Sequence, residues 1–189
     1  MTTFHWVRHG PTHQKNFVGW RDVPADLSDT DQIGRLSAYL PEGALVVSSD
    51  LRRSVATADS ITAGRTRLPH MPGLREFHFG AWDGVHFSQI PESQSRPYWE
   101  RPGTPAPPGG ESWNAAADRV AHAVEALIRR HPGRDIIAVA HIGVILTQVQ
   151  RARAWRPEQA LAYKIDNLSV TTIHWDQPED RVQQINHLP

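Results

Sequence analysis

No cysteine occurs among the 189 residues of this chain. Disulfide bridges, a thiolate nucleophile and cysteine-ligated zinc are thereby excluded. An excess of one charge is also missing: Lys+Arg and Asp+Glu each number 20, and the formal net charge is zero. Electrostatic binding to nucleic acid or to a membrane surface is not expected, and any anion site must be local. Long apolar runs are absent as well. The longest, Ile136 to Ala140, falls far short of the roughly 20 residues a membrane helix needs. Ahead of Phe4 there is no basic stretch followed by an apolar one, so no secretory signal is visible and a cytoplasmic protein is expected. There are no internal repeats. Histidine, in contrast, is plentiful at 11 residues. Yet His5 and His9 would be helix-spaced ligands on a segment that reads as a strand, and H-E-x-x-H is absent. Neither a metal nor another cofactor is expected.

The stretch Phe4-His5-Trp6-Val7-Arg8-His9-Gly10-Pro11-Thr12 opens the organised part of the chain. Phe4 to Val7 favour a buried strand, and Gly10-Pro11 ends it. Residues 12–27 read as an ordered loop. Ser28 or Asp29 can cap a helix to about Leu40. Ala44–Val47 reads as a second buried strand, followed by a helix from Leu51 to about Ala63. A weaker strand is expected near Arg67–Met71. Ser112 starts a long helix to about His131, Asp135–Ala140 is the clearest buried strand, and a helix then runs to about Ala154. Pro157 opens a short helix. Leu168–Trp175 and Arg181–His187 alternate as strands joined by a turn at 176–180. Strands alternating with helices predict one α/β domain over residues 1–189, a three-layer α/β/α sandwich with a mostly parallel central sheet. Residues 85–111 are poor in aliphatics, and Pro97 to Gly110 contains five prolines. So long an excursion is expected to be a lid-like insertion, ordered because Trp99 favours burial.

Three strand ends carry candidate chemistry. Strand one delivers Arg8 and His9, the second βα unit delivers Arg53 one turn into its helix, and Asp135–Ala140 delivers His141 before a helix N-terminus. In a parallel sheet these ends share one edge, where ligands bind. An arginine fork suits phosphate or carboxylate. A histidine there is an acid–base group or a nucleophile, or else simply bonds to backbone. Two arginines, two histidines and a helix end converging on one pocket describe a phosphoryl site that works without a metal ion.

The ordered blocks Arg8-His9-Gly10, Ser48-Ser49-Asp50-Leu51-Arg52-Arg53, Leu74-Arg75-Glu76 with Phe79 to Gly84, Pro108 to Ser112, and Ala140-His141-Ile142-Gly143 resemble the histidine phosphatase superfamily, the phosphoglycerate-mutase-like proteins. The resemblance implies that His9 is the nucleophile that becomes phosphohistidine, that Arg8, Arg53 and His141 hold the phosphoryl oxygens, and that Glu76 is the proton donor. Thr12, Asn16, Gly19 and Trp20 become possible substrate contacts. It implies a phosphomonoesterase acting on a small-molecule phosphate ester. The length and the Pro-Gly-Gly-Glu-Ser block look more like the small phosphatases, including the α-ribazole-phosphate phosphatase branch. A mutase-type phosphoryl transfer and a non-catalytic phospholigand-binding module are the alternatives. Three departures stand out: Pro11 where many members have Glu, Asn16 one residue later than usual, and Ile142 where Gly usually follows the second histidine. Trp20, Trp82, Trp99 and Trp113 can line an apolar leaving-group pocket or pack in the core and lid.

Overall fold

The computed structural model describes residues 1–176 and 181–189. Six strands form one sheet: β1 (Thr3–Arg8), β2 (Leu45–Ser48), β3 (Thr66–Arg67), β4 (Asp135–Ala140), β5 (Val170–His174) and β6 (Val182–His187), in the order β3-β2-β4-β1-β5-β6. Strands β1 to β4 pair parallel, while β5 runs antiparallel to both β1 and β6. The sheet is therefore mixed, and mostly parallel as expected. Of the turn expected at 176–180, residues 177–180 lie outside the described residues.

Period-two alternation along the strands builds the two faces. Phe4, Trp6, Leu45, Val47, Ile136, Ala138 and Ala140 point to a core shared with α4 (Trp113–Arg130) and α5 (Ile142–Arg153). Val7, Val46, Ile137, Val139 and Val170 point the other way, to α1 (Thr30–Tyr39) and α2 (Arg52–Ser60). Strand β4 is covered on both sides, which is why every residue from Ile136 to Ala140 is apolar instead of alternating. Asp29 caps α1 by accepting from Gln32 N–H at 2.9 Å, and Ser112 caps α4. The short α6 (Pro157–Leu161) follows α5. No helix among the described residues is long and apolar enough to cross a membrane.

Two elements differ from the sequence expectation. β3 is only two residues long and ends before Pro69, which lacks the N–H that would continue the ladder. The proline-rich insertion contains a helix, α3 (Glu92–Glu100), with Pro97 inside it. In so short a helix Pro97 forfeits a single N–H. Aromatic packing holds α3 in place: Tyr98 is buried edge-on to Trp82 at 5.4 Å, and Trp99 stacks on Phe17 at 6.1 Å. Trp99 itself remains 43% exposed, against the expectation of burial.

Leu36, fully buried beneath the sheet on α1, lies on the face away from α4 and α5. Leu36→Ala is expected to destabilise the fold by about 2–5 kcal/mol, read by urea denaturation. A loss under about 1 kcal/mol would show that α1 contributes little to that core.

Candidate active site

Strand register assembles the site. Arg8 pairs with Ala140, and Ser48 pairs with Val139. His9, Ser49 and His141 therefore leave the sheet side by side; His9 N–H donates to the Ala140 carbonyl at 3.0 Å, and the His9 and His141 rings lie 5.1 Å apart.

His9 Nδ1 sits 2.7 Å from the Gly10 carbonyl oxygen. A carbonyl only accepts, so Nδ1 carries the ring proton and Nε2 keeps its lone pair. Burial, followed by the positive fields of Arg53 and Arg8, pulls the His9 pKa down to about 3, so the ring is neutral. Its backbone is pinned from both sides. The Asn167 amide donates to the His9 carbonyl at 2.7 Å, and Gly10 N–H donates to the Thr57 hydroxyl at 3.0 Å.

Arg53 is fully buried. Its Nη1 donates to the Arg21 carbonyl at 2.9 Å and its Nη2 to the Gly19 carbonyl at 2.6 Å. Arg8 donates through Nη1 to the Ile165 carbonyl at 2.6 Å. Both guanidinium groups thus bond to neutral carbonyls, and each keeps a buried Nε–H without a partner. Arg52, by contrast, is exposed. His141 is buried, with Nε2 at 2.8 Å from Ser49 Oγ and 3.2 Å from Ser54 Oγ; its Nδ1 has no partner. Burial, then Arg53 and His9, holds its pKa well below the usual histidine value.

Glu76 is buried among these groups, and burial pushes its carboxyl pKa up. Oε1 accepts from Phe77 N–H at 2.9 Å and Oε2 from Gly143 N–H at 3.3 Å. A Cβ on residue 143 would stand 2.5 Å from Glu76 Oε1. A side chain at 143 would thus push on Glu76 and Phe77, whereas the preceding position carries Ile142.

Gly19, Trp20 and Asn16 are engaged elsewhere than in an open binding site. Asn16 donates to the Gly84 carbonyl at 3.0 Å on an exposed loop. The N–H groups of Gly19, Trp20 and Arg21 all donate to the Asp83 carboxylate, at 3.0, 2.9 and 3.0 Å. The Trp20 indole donates to the Glu76 carbonyl at 2.7 Å. Thr12 is half-buried beyond the Gly10-Pro11 turn. Glu111 is likewise occupied: it takes both prongs of Arg119 at 2.7 Å and the His78 N–H at 3.0 Å. Arg119 in turn donates to the Gly73, Arg75 and Glu76 carbonyls, which fixes the turn that presents Glu76. No group of three or more His, Asp or Glu able to hold a metal ion is found among the described residues.

Glu76 also lines a neighbouring cavity of about 130 Å³, whose walls include none of Arg8, His9, Arg53 and His141. Phe77, Phe79, Tyr98, Trp99, Trp113 and Ile142 are among its walls. Trp82 packs instead with Ile90 and Tyr98, and Trp20 stands edge-on to His78.

The model of the histidine phosphatase superfamily (branch 1) matches residues 4–188. The chain belongs to this superfamily. Among relatives, phosphoglycerate mutase-like protein 4 of Arabidopsis thaliana is 32% identical over 87% of this chain and 75% of its own length. A metal-independent phosphoserine phosphatase of the same plant is 35% identical over 68% of this chain but only 55% of the relative. Among solved structures, YhfR of Bacillus stearothermophilus superposes with a TM-score of 0.84 at 26% identity, covering 93% of this chain and 92% of that one. A mycobacterial glucosyl-3-phosphoglycerate phosphatase gives 0.81 at 27% identity, covering 99% of both chains.

Within this histidine phosphatase site, sequence reasoning passed over Ser49, Ser54, Thr57, Asn167 and the true setting of Asp83. Ser49 and Asp83 lie inside the blocks that carry the family resemblance. Asn167 reaches His9 from 158 residues away, and nothing local announces it. Asp83 organises the carbonyls that grip Arg53, so Asp83→Ala is expected to lower kcat/KM for a phosphomonoester roughly 10²-fold, the scale of a misplacement of about 1 Å. Asp83→Asn should recover part of it. Unchanged kinetics in Asp83→Ala would show that Arg53 holds its position without that loop.

Proposed function

We propose that this chain is a metal-independent phosphomonoesterase that works through a phosphohistidine on His9 and acts on a small phosphorylated metabolite. The observation that carries this reading is the locked tautomer of His9. With Nδ1 bound to the Gly10 carbonyl, Nε2 is an unprotonated nucleophile near two cations, Arg8 and Arg53, that among the described residues have no carboxylate partner at hydrogen-bonding distance. A binding module has no use for a neutral histidine there, since protonation would bind phosphate better. The names of the relatives, a phosphoserine phosphatase and a glucosyl-3-phosphoglycerate phosphatase, agree with the reading.

The steps follow from the groups present. Arg8, Arg53 and His141 hold the phosphoryl oxygens; Arg53 retains three of its five N–H donors after serving Gly19 and Arg21. His9 Nε2 attacks phosphorus, the ester P–O bond breaks, and its electron pair stays on the leaving oxygen. Glu76, whose carboxyl pKa burial raises, gives that oxygen its proton. The resulting carboxylate then takes a proton from water, which attacks the phosphohistidine and releases phosphate and neutral His9.

Rapid quench with labelled ester, after dialysis against a chelator, is expected to trap an acid-labile, base-stable adduct that is lost in His9→Ala. An adduct on another residue, or a rate restored only by a divalent ion, would overturn the reading.

The pH profile follows from the two shifts. His9 stays neutral down to pH of about 3, whereas Glu76 holds its proton above the ordinary carboxylate range. kcat/KM should therefore fall as pH rises through the raised Glu76 pKa. Glu76→Gln should lose this limb and reduce alkyl phosphate cleavage about 10²–10⁴-fold, the scale of general acid catalysis, with a smaller loss for p-nitrophenyl phosphate. Equal losses for both esters in single-turnover adduct formation would mean that Glu76 only positions groups.

A further inference from the structure

The proposed phosphatase reading leaves the leaving group unspecified, and the cavity beside Glu76 specifies it. Its wall is formed by Phe79, Tyr98, Trp99, Ile142, Leu146 and Leu161 among others; among the described residues Glu76 is the one carboxylate on it and no Lys or Arg lines it. Arg8 and Arg53, whose fields reach Glu76, line no part of this wall and hold the phosphoryl group in the proposed reaction; Arg75 pairs with both oxygens of Asp50 at 2.7 and 2.5 Å, and Arg119 with Glu111. A leaving group bearing a second carboxylate or phosphate would thus be buried without a counter-charge, at high cost. An apolar body meets only carbon. The volume, about 130 Å³, is close to that of an engineered apolar cavity of about 150 Å³ that takes up benzene.

Ile142 is the chain's own contribution to this wall. It follows His141 and opens α5, where a glycine would leave the space wider and less apolar. Because Gly143 is the residue that must approach Glu76, a side chain at 142 is free to face the cavity. On the opposite wall α3 carries Tyr98 and Trp99, anchored through Trp82 and Phe17.

Resting on the phosphatase reading, we propose that the preferred substrates are phosphomonoesters of uncharged apolar alcohols, with one aromatic ring or an alkyl chain of about six carbons, and that Ile142, Trp99 and Leu161 set this preference. The doubly charged esters in the names of relatives, phosphoserine and phosphoglycerate derivatives, are then poor substrates.

The test is kcat/KM for n-alkyl phosphates from propyl to octyl, whose leaving oxygens have nearly equal basicity, alongside phosphoserine and 3-phosphoglycerate, with His9→Ala as the blank. About a four-fold rise per methylene is expected, the equivalent of about 0.8 kcal/mol per buried CH₂, levelling off near six carbons. Hexyl phosphate should exceed both charged esters by at least about 100-fold. A flat series, or a charged ester matching hexyl phosphate, overturns the inference while leaving hydrolysis itself intact. Absence of turnover for every ester, p-nitrophenyl phosphate included, overturns the phosphatase reading beneath it. Leu161→Arg is expected to reverse part of the order, lowering hexyl phosphate and raising 3-phosphoglycerate; equal change in both refutes the role of the wall. Trp99→Ala, at a half-exposed edge that tolerates truncation, should flatten the chain-length dependence, and an unaltered slope counts against the inference.

Discussion

A buried arginine is the constraint around which this structure is arranged. Arg53 is fully removed from solvent on α2, and an ion in that setting requires compensation. Here the compensation is two carbonyl oxygens, of Gly19 and Arg21, rather than a carboxylate. Carbonyls support the guanidinium without neutralising it, so its charge remains directed at whatever anion enters. The loop that supplies them cannot hold this form alone. Asp83 collects its three consecutive N–H groups, and the 3₁₀ turn at Gly80–Trp82 delivers Asp83. Arg8 follows the same rule, with the Ile165 carbonyl as its support.

Burial, joined by net positive charge, sets the state of the other groups. Both disfavour protonation of His9 and His141. Glu76 experiences the opposite balance. The same cations and two N–H donors favour its ionised form, yet burial outweighs them and raises its pKa. A base with a lowered pKa and a carboxyl with a raised one therefore share one pocket, which suits the proposed displacement and its reverse. The carboxylates that could compete for the acid's role are not idle: Asp83 and Glu111 are held by backbone N–H groups and, for Glu111, by Arg119.

The arrangement also separates two kinds of recognition. Charge and N–H donors lie toward the strand ends, and the aromatic wall lies toward α3 and α6. Glu76 stands at the border between them. In the proposed reaction, catalysis and choice of alcohol therefore fall to different residues, with the proline-rich insertion carrying much of the second task.

The sequence by itself determined the local elements and the edge at which chemistry collects. Apolar period, caps at Asp29 and Ser112, and abrupt strand ends at Gly10 and after Ala140 are short-range signals, and they placed Arg8, His9, Arg53 and His141 at the relevant ends, whereas Glu76 was singled out only by the family resemblance. It did not reveal α3, because Pro91 and Pro97 resemble breakers and the helix depends on Trp82 and Phe17 to hold it. Nor did it reveal that Gly19 and Trp20 serve Asp83, Arg53 and Glu76, or that Gly143 packs against Glu76. Those last facts depend on hydrogen bonds between residues 32 to 67 positions apart. Only packing decides which carbonyl a buried cation meets, since the cost of leaving it unpaired is settled in three dimensions and no local pattern records the outcome.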